Sequence, residues 1–215
     1  DSQSERRRER AFEVNRAAIE SSYRKRDPGL SAAAVKKAWF AETPLGMIEH
    51  QAAWHPTGEI GRWAAHNPAV ALIGETIFVH GGISPAYTAV PIEEINRRVA
   101  AALAAQETAP DSIINDPAGP LWYRGLAGRT SEGGAAPAGS RQEVDAVLGS
   151  FGARRIVIGH TPVRDGIRLL HDGRLVLADT GISAAYGGVW SYLELVGSEA
   201  RAHVVPKVAL RERWR

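Results

Sequence analysis

The chain has 215 residues, 44% of them hydrophobic and 23% charged, which is enough for one compact domain or two small ones and too apolar for a chain disordered throughout. It contains no cysteine, which excludes a disulfide scaffold, a thiolate metal site and a cysteine nucleophile, so any metal would sit on His, Asp, Asn or Glu. Lys and Arg number 26 against 24 Asp and Glu, a net charge of +2 with acids interleaved among the bases, which argues against a nucleic-acid partner, and no run approaches the roughly 18 apolar residues of a membrane span.

From Gln3 to Arg26 the sequence is highly charged, with Phe12, Ile19 and Tyr23 recurring near one face and Arg16, Glu20 and Arg24 at i,i+4 spacing, which predicts a polar surface helix. Asp27-Pro28-Gly29 ends it, and Ser31 is placed to cap a second helix carrying Val35, Trp39 and Phe40. Thr43-Pro44 predicts the start of a third helix, and a short fourth through Ile60 and Trp63 stops at Asn67-Pro68. Residues 1–67 therefore read as a helical insertion or cap, and residues 68–215 as a mixed α/β part. The opening DSQSERRRER has neither an initiator Met nor an apolar signal core, so it is expected to be the interior of a longer polypeptide or a processed product. Any signal peptide would lie upstream of Asp1, and no compartment is assigned.

AVALIG, a turn at Gly74-Glu75 and TIFVH predict two short buried strands ending at His80-Gly81-Gly82. Pro91 suits the first position of a helix with Ile92, Ile95, Val99 and Leu103 on one side. Residues 107–139 lack periodicity, and SEGGAAPAG within them predicts a flexible loop. Ser140-Arg141-Gln142-Glu143 is a capping-box pattern opening a helix with Val144, Val147, Leu148 and Phe151, and Gly152 fits the position after its end. RIVIG then predicts a buried strand that delivers His160 at its C-terminal end. IRLLH and RLVLA flank Asp172-Gly173, a favoured type I′ pair, and predict a β-hairpin; WSYLELVG and RAHVVP predict two more strands.

Two histidines, His80 and His160, each follow a hydrophobic strand and precede turn residues. A histidine fixed there can offer one ring nitrogen to a metal while the other is oriented by a carbonyl or carboxylate. Gly81 and Gly82 lack a Cβ and would let the backbone approach a bound ion or oxyanion closely. Between the histidines lies GPLWYRG, whose Arg124 offers a planar fork able to take two phosphate oxygens. A hydrogen-bonded structural histidine and a surface ion pair are the plainer readings of the same residues, and spacing alone leaves both open.

Taken in order, IFVHGGISP, PLWYRG, RIVIGHTPV and LADTGIS with YGG resemble the calcineurin-like metallophosphoesterases, in particular the phosphoprotein-phosphatase group and its bacterial Shewanella-like branch, over about residues 57–197. The charged helices before Trp63 are similar to the insertion this branch carries ahead of its HGG segment. The resemblance implies the C-terminal portion of a four-layer α/β/β/α sandwich preceded by a helical insertion. It also implies His80 and His160 as metal ligands, Arg124 as the clamp on the substrate phosphate, and two divalent metal ions, Mn, Fe or Zn. Tyr186, after DTGIS, is placed to line the site or to pack beside it, and Asp179 reads as a turn residue.

The GDxHG, GDxxDRG and GNHE motifs of that family, which supply most ligands of both metals and the general acid, are absent from the sequence. The chain is therefore expected to hold only part of a dinuclear site, with the N-terminal half of the same protein as its partner. The implied reaction is metal-dependent hydrolysis of phosphate monoesters, on a phosphoprotein (Ser/Thr or Tyr) or a small phosphoester. Two alternatives are a diadenosine-tetraphosphate-type nucleotide hydrolase and a non-catalytic fragment or binding module on the same scaffold.

Overall fold

The computed structural model describes residues 2–129 and 137–206, and the chain divides into two units, Asp1–Ala64 and Ala65–Arg215. Most of the glycine-rich loop expected over 131–139 lies outside the described residues.

The first unit is helical, with α1 (Ser2–Arg26), α2 (Ala32–Glu42) and α3 (Met47–Trp54); α4 (Glu59–His66) crosses the boundary. Phe12, 1% exposed, centres this unit, its ring packed edgewise or tilted against Trp39 and Phe40 at 5.4 and 5.7 Å. Ser31 caps α2 by accepting from Ala34 N. Arg24 takes Glu20 at 2.9 Å, and Arg16 turns instead to Glu13, because i,i+3 and i,i+4 partners are both in reach on a helix. The third helix starts at Met47 rather than at Thr43-Pro44. Arg8 of α1 donates to the Thr43 carbonyl at 3.2 Å and the Ser4 hydroxyl accepts from Gly46 N at 2.9 Å, holding the intervening residues in a turn that Gly46 leaves with φ 87°.

The second unit holds the sheet. Its elements are β1 (Val70–Ile73), β2 (Thr76–Val79), α5 (Ile92–Ala105), α6 (Arg141–Ser150), β3 (Arg155–Ile158), β4 (Arg168–Leu170), β5 (Leu175–Leu177), β6 (Ser191–Val196) and β7 (Glu199–Val204). Five strands form one mixed sheet in the order β1-β2-β3-β5-β4, parallel at β2–β3 and β3–β5 and antiparallel at both edges, while β6 and β7 pair as a separate hairpin. Register puts Ile77, Ile156 and Leu175 in one row and Val79, Ile158 and Leu177 in the next. These rows pack with Ile95 of α5 and Val144, Val147 and Leu148 of α6 in a single core.

Three elements differ in detail from the sequence reading. β1 is an edge strand, so only Val70 is buried while Leu72 and Ile73 are 42% and 67% exposed. Pro91 stands one position before the first turn of α5, and the buried stripe is Ile95, Val99 and Ala102, with Leu103 on its exposed flank. The β4–β5 connection has four residues because Leu170 pairs with Leu175, and it carries positive φ at His171, Asp172 and Gly173. The capping box of α6 forms as read, the Ser140 hydroxyl accepting from Glu143 N at 3.2 Å and Ser140 N donating to the Glu143 carboxylate at 2.6 Å.

Arg155, 5% exposed, ties the hairpins to the central strand by donating to the carbonyls of Gly173 at 2.8 Å and Ser198 at 2.7 Å. Burial lowers its pKa, helped by the neighbouring Arg154 charge.

Urea unfolding followed by circular dichroism tests this core: Ile156→Ala should cost roughly 2–5 kcal/mol by leaving a cavity between sheet and helices. Ser140→Ala should cost about 1 kcal/mol through the lost cap.

Candidate functional site

β2 and β3 run parallel with Val79 opposite Ile158, so the residues that follow them leave the sheet at the same edge. Gly159 N donates to the His80 carbonyl at 2.8 Å, extending the ladder one step beyond the strands. His160 then turns sharply, with φ 60°. The two imidazoles meet there, ring centroids 4.9 Å apart and His80 Nε2 at 3.2 Å from His160 Nδ1, so one of these nitrogens donates and the other accepts.

His160 is enclosed on its other sides. The Trp122 ring stands edge-on to it at 5.1 Å, and Arg124 Nη1 donates to its carbonyl at 3.5 Å. Its Nε2 is buried and has no hydrogen-bond partner among the described residues. Burial first, then the positive charges of Arg124 and His80, push its pKa below the ordinary histidine value, against an opposing pull from Asp179. The shift favours the neutral ring, the form in which imidazole ligates a metal.

Arg124 comes from the loop between α5 and α6, which the sequence reading left without periodicity. Side chains rather than a ladder order this stretch: Tyr87 donates to Asp116 at 2.8 Å, Trp122 Nε1 to the Ile114 carbonyl at 2.7 Å, and Asn115 to the Ala109 carbonyl at 3.0 Å. Burial and the Asp116 carboxylate push the Tyr87 pKa up to about 12, so the hydroxyl stays protonated and keeps donating. The loop reaches the strand end through Gly81, whose N donates to the Pro120 carbonyl at 2.7 Å. A Cβ on Gly81 would lie 2.9 Å from both the Leu121 carbonyl carbon and Tyr123 N. The close backbone approach expected at Gly81 is made by the loop that carries Arg124, and the Gly81 N–H is spent on the Pro120 carbonyl.

Arg124 and Tyr186 line the same cleft, of about 540 Å³, so these two are brought together, and His80 and His160 are brought together beside them. Tyr186 is 54% exposed. Asp179 spends its carboxylate on Gly181 N at 2.9 Å, an Asx turn. Of the remaining histidines, His171 contacts the Gly139 carbonyl at 2.8 Å and His203 stacks on Tyr192 and contacts Glu194, both away from this edge. Three neighbours went unread in the sequence: Trp122 against His160, the buried Thr161 hydroxyl without a partner, and Arg164 in the cleft wall. Trp122 and Arg164 lie two residues from Arg124 and four from His160, and that adjacency was the available signal.

No protein-family model matches the sequence. An uncharacterized protein of Schizosaccharomyces pombe is 32% identical over 149 residues, 66% of this chain and 43% of that protein. Among solved structures, the cold-active protein tyrosine phosphatase of a psychrophilic Shewanella species superposes with a TM-score of 0.58 at 18% identity, covering 80% of this chain and 51% of that one. A point mutant of a cold-active protein tyrosine phosphatase gives 0.58 at 20% identity, covering 74% of this chain and 50% of that one. The chain thus has the fold of the matched portion of these structures and spans about half their length or less.

Gly81→Ala should force the Pro120–Tyr123 backbone away from the strand end and cost roughly 1–3 kcal/mol in urea unfolding. Gly149→Ala in α6 is its control: a Cβ there meets nothing within 4 Å, and the exchange should stabilise by about 0.5–1 kcal/mol.

Proposed function

We propose that this chain carries one part of a metallophosphoesterase site, in which His80 and His160 hold a divalent cation and Arg124 holds the phosphate to be hydrolysed. The observation that carries the reading is the buried Nε2 of His160, without a partner among the described residues, on a ring of lowered pKa in contact with a second histidine and beside a guanidinium. Neutral imidazole suits Mn, Fe and Zn alike. The parallel strand ends are also where α/β sheets place ligands.

Two imidazoles make half of a four-coordinate set, and among the described residues no group of three His, Cys, Asp or Glu gathers to complete one. The further ligands, and the second cation of a dinuclear centre, are therefore assigned to a segment outside these 215 residues, which the twofold length of the matched proteins favours. The five-stranded sheet is then one of the two sheets of an α/β/β/α sandwich. Bound divalent cations supply Lewis-acid charge neutralisation and a more acidic water. Water oxygen bonds to phosphorus as the ester P–O bond breaks, and the Arg124 fork binds non-bridging oxygens whose charge redistributes in the transition state. Trp122, anchored to the Ile114 carbonyl, packs edge-on against the His160 ring and covers one side of it. The substrate class favoured is a phosphoprotein, in line with the structural neighbours, which are protein tyrosine phosphatases.

Calorimetry with Mn²⁺ on the 215-residue chain should give one weakly held ion, lost in His160→Ala. Joined to a segment carrying the GDxHG, GDxxDRG and GNHE motifs, the chain should hydrolyse p-nitrophenyl phosphate with Mn²⁺. Arg124→Ala should then lose roughly 2–4 kcal/mol of transition-state stabilisation. An unchanged rate in Arg124→Ala overturns its role, and competition by diadenosine tetraphosphate with turnover of that compound moves the substrate to nucleotides.

A further inference from the structure

The cleft of about 540 Å³ that Arg124 shares with Tyr186 is lined by three more arginines, Arg129, Arg164 and Arg168. Among the described residues its one carboxylate, Asp165, is taken up by Arg168 at 2.9 Å. Arg129 and Arg164 thus face the cleft with Arg124, and no further carboxylate among the described residues lines it. Both are exposed, whereas Arg124 is half-buried. Like charges gathered in one concavity repel one another, and the arrangement is relieved when an anion enters. One phosphate monoester engages a single arginine fork with two oxygens and does not neutralise three guanidiniums. Thr161 and Pro162, directly after His160, also line the cleft.

We infer that the cleft is a second anion subsite, and that the preferred substrate is a phosphorylated polypeptide segment carrying another anionic side chain, a carboxylate or a phosphate, beside the residue to be hydrolysed. This rests on the reading of Arg124 as the clamp on the scissile phosphate. Arg129 and Arg164 then act on the flanking anion and set specificity. The cleft is open to solvent along a surface that exposes Tyr186, which suits an extended chain laid across it more than a buried small molecule.

The test uses the 215-residue chain with Mn²⁺ and two tyrosine-phosphorylated peptides, one with alanines on both sides of the phosphotyrosine and one with glutamates. Binding is followed through the Nε–H resonances of the arginines and by calorimetry. Arg124 should shift with both peptides, Arg129 and Arg164 with the glutamate peptide alone. The glutamate peptide should bind about tenfold tighter, the size of one charge-assisted contact. Arg164→Ala and Arg129→Ala should each weaken binding of the glutamate peptide by a larger factor than that of the alanine peptide, and so reduce the preference. If Arg124 responds to both peptides while Arg129 and Arg164 respond to neither, the second subsite is wrong and the phosphate clamp stands. If Arg124 responds to neither, the clamp itself is wrong and this inference falls with it. Tripolyphosphate binding tighter than the glutamate peptide, and lost in Arg164→Ala, would replace the polypeptide by a small polyphosphate.

Discussion

The candidate site depends on one contact, the parallel pairing of β2 with β3 that ends with Gly159 N donating to the His80 carbonyl. Parallel strands bring together residues far apart in the chain, here 80 positions, and the register decides which side chains meet. A slip of one residue would turn Ile77, Val79, Ile156 and Ile158 from the core that holds Leu148 and Ile95 toward the opposite face. The same burial that stabilises the sheet therefore fixes the meeting of the two imidazoles.

One glycine and one strained residue translate that register into a site. Gly81 lets the loop backbone close onto the strand end, which sets where Arg124 starts. His160 holds a left-handed backbone, φ 60°, uncommon for a residue with a Cβ and costing about 1–2 kcal/mol. Thr161 N bonding to the Gly159 carbonyl at 2.6 Å and the enclosing Trp122 hold it there. Strain of this kind persists only where surrounding contacts over-determine the conformation, and here they are the contacts that leave Nε2 buried without a partner.

Much of the local structure was legible because its signals are local. The Ser140 capping box and the Ser31 cap are written in adjacent residues, and the strands at TIFV and RIVI in short apolar runs. Tertiary facts were less so. Nothing in AVALIG says that its strand lies at an edge with Leu72 and Ile73 in solvent, and nothing in Arg155 says that a buried guanidinium will bind two turns. The region around 107–124 has no period because side-chain contacts to backbone order it, as with Trp122 and Ile114. His80, His160 and Arg124 were singled out by strand-end position and charge. Their neighbours Trp122, Thr161 and Arg164 were missed because each matters only through contacts made across the fold.

The chemistry of the edge divides between neutral and charged groups, and Arg124 acts on both. Its charge adds to burial in lowering the pKa of His160, which favours the unprotonated ring with its free lone pair. Protonating that ring would place a second positive charge beside a guanidinium that cannot release its own. Positive charge at the site is therefore carried at neutral pH by arginines, whose planar forks match phosphate geometry. An anion entering beside Arg124 would relieve the repulsion among the guanidiniums that line the cleft.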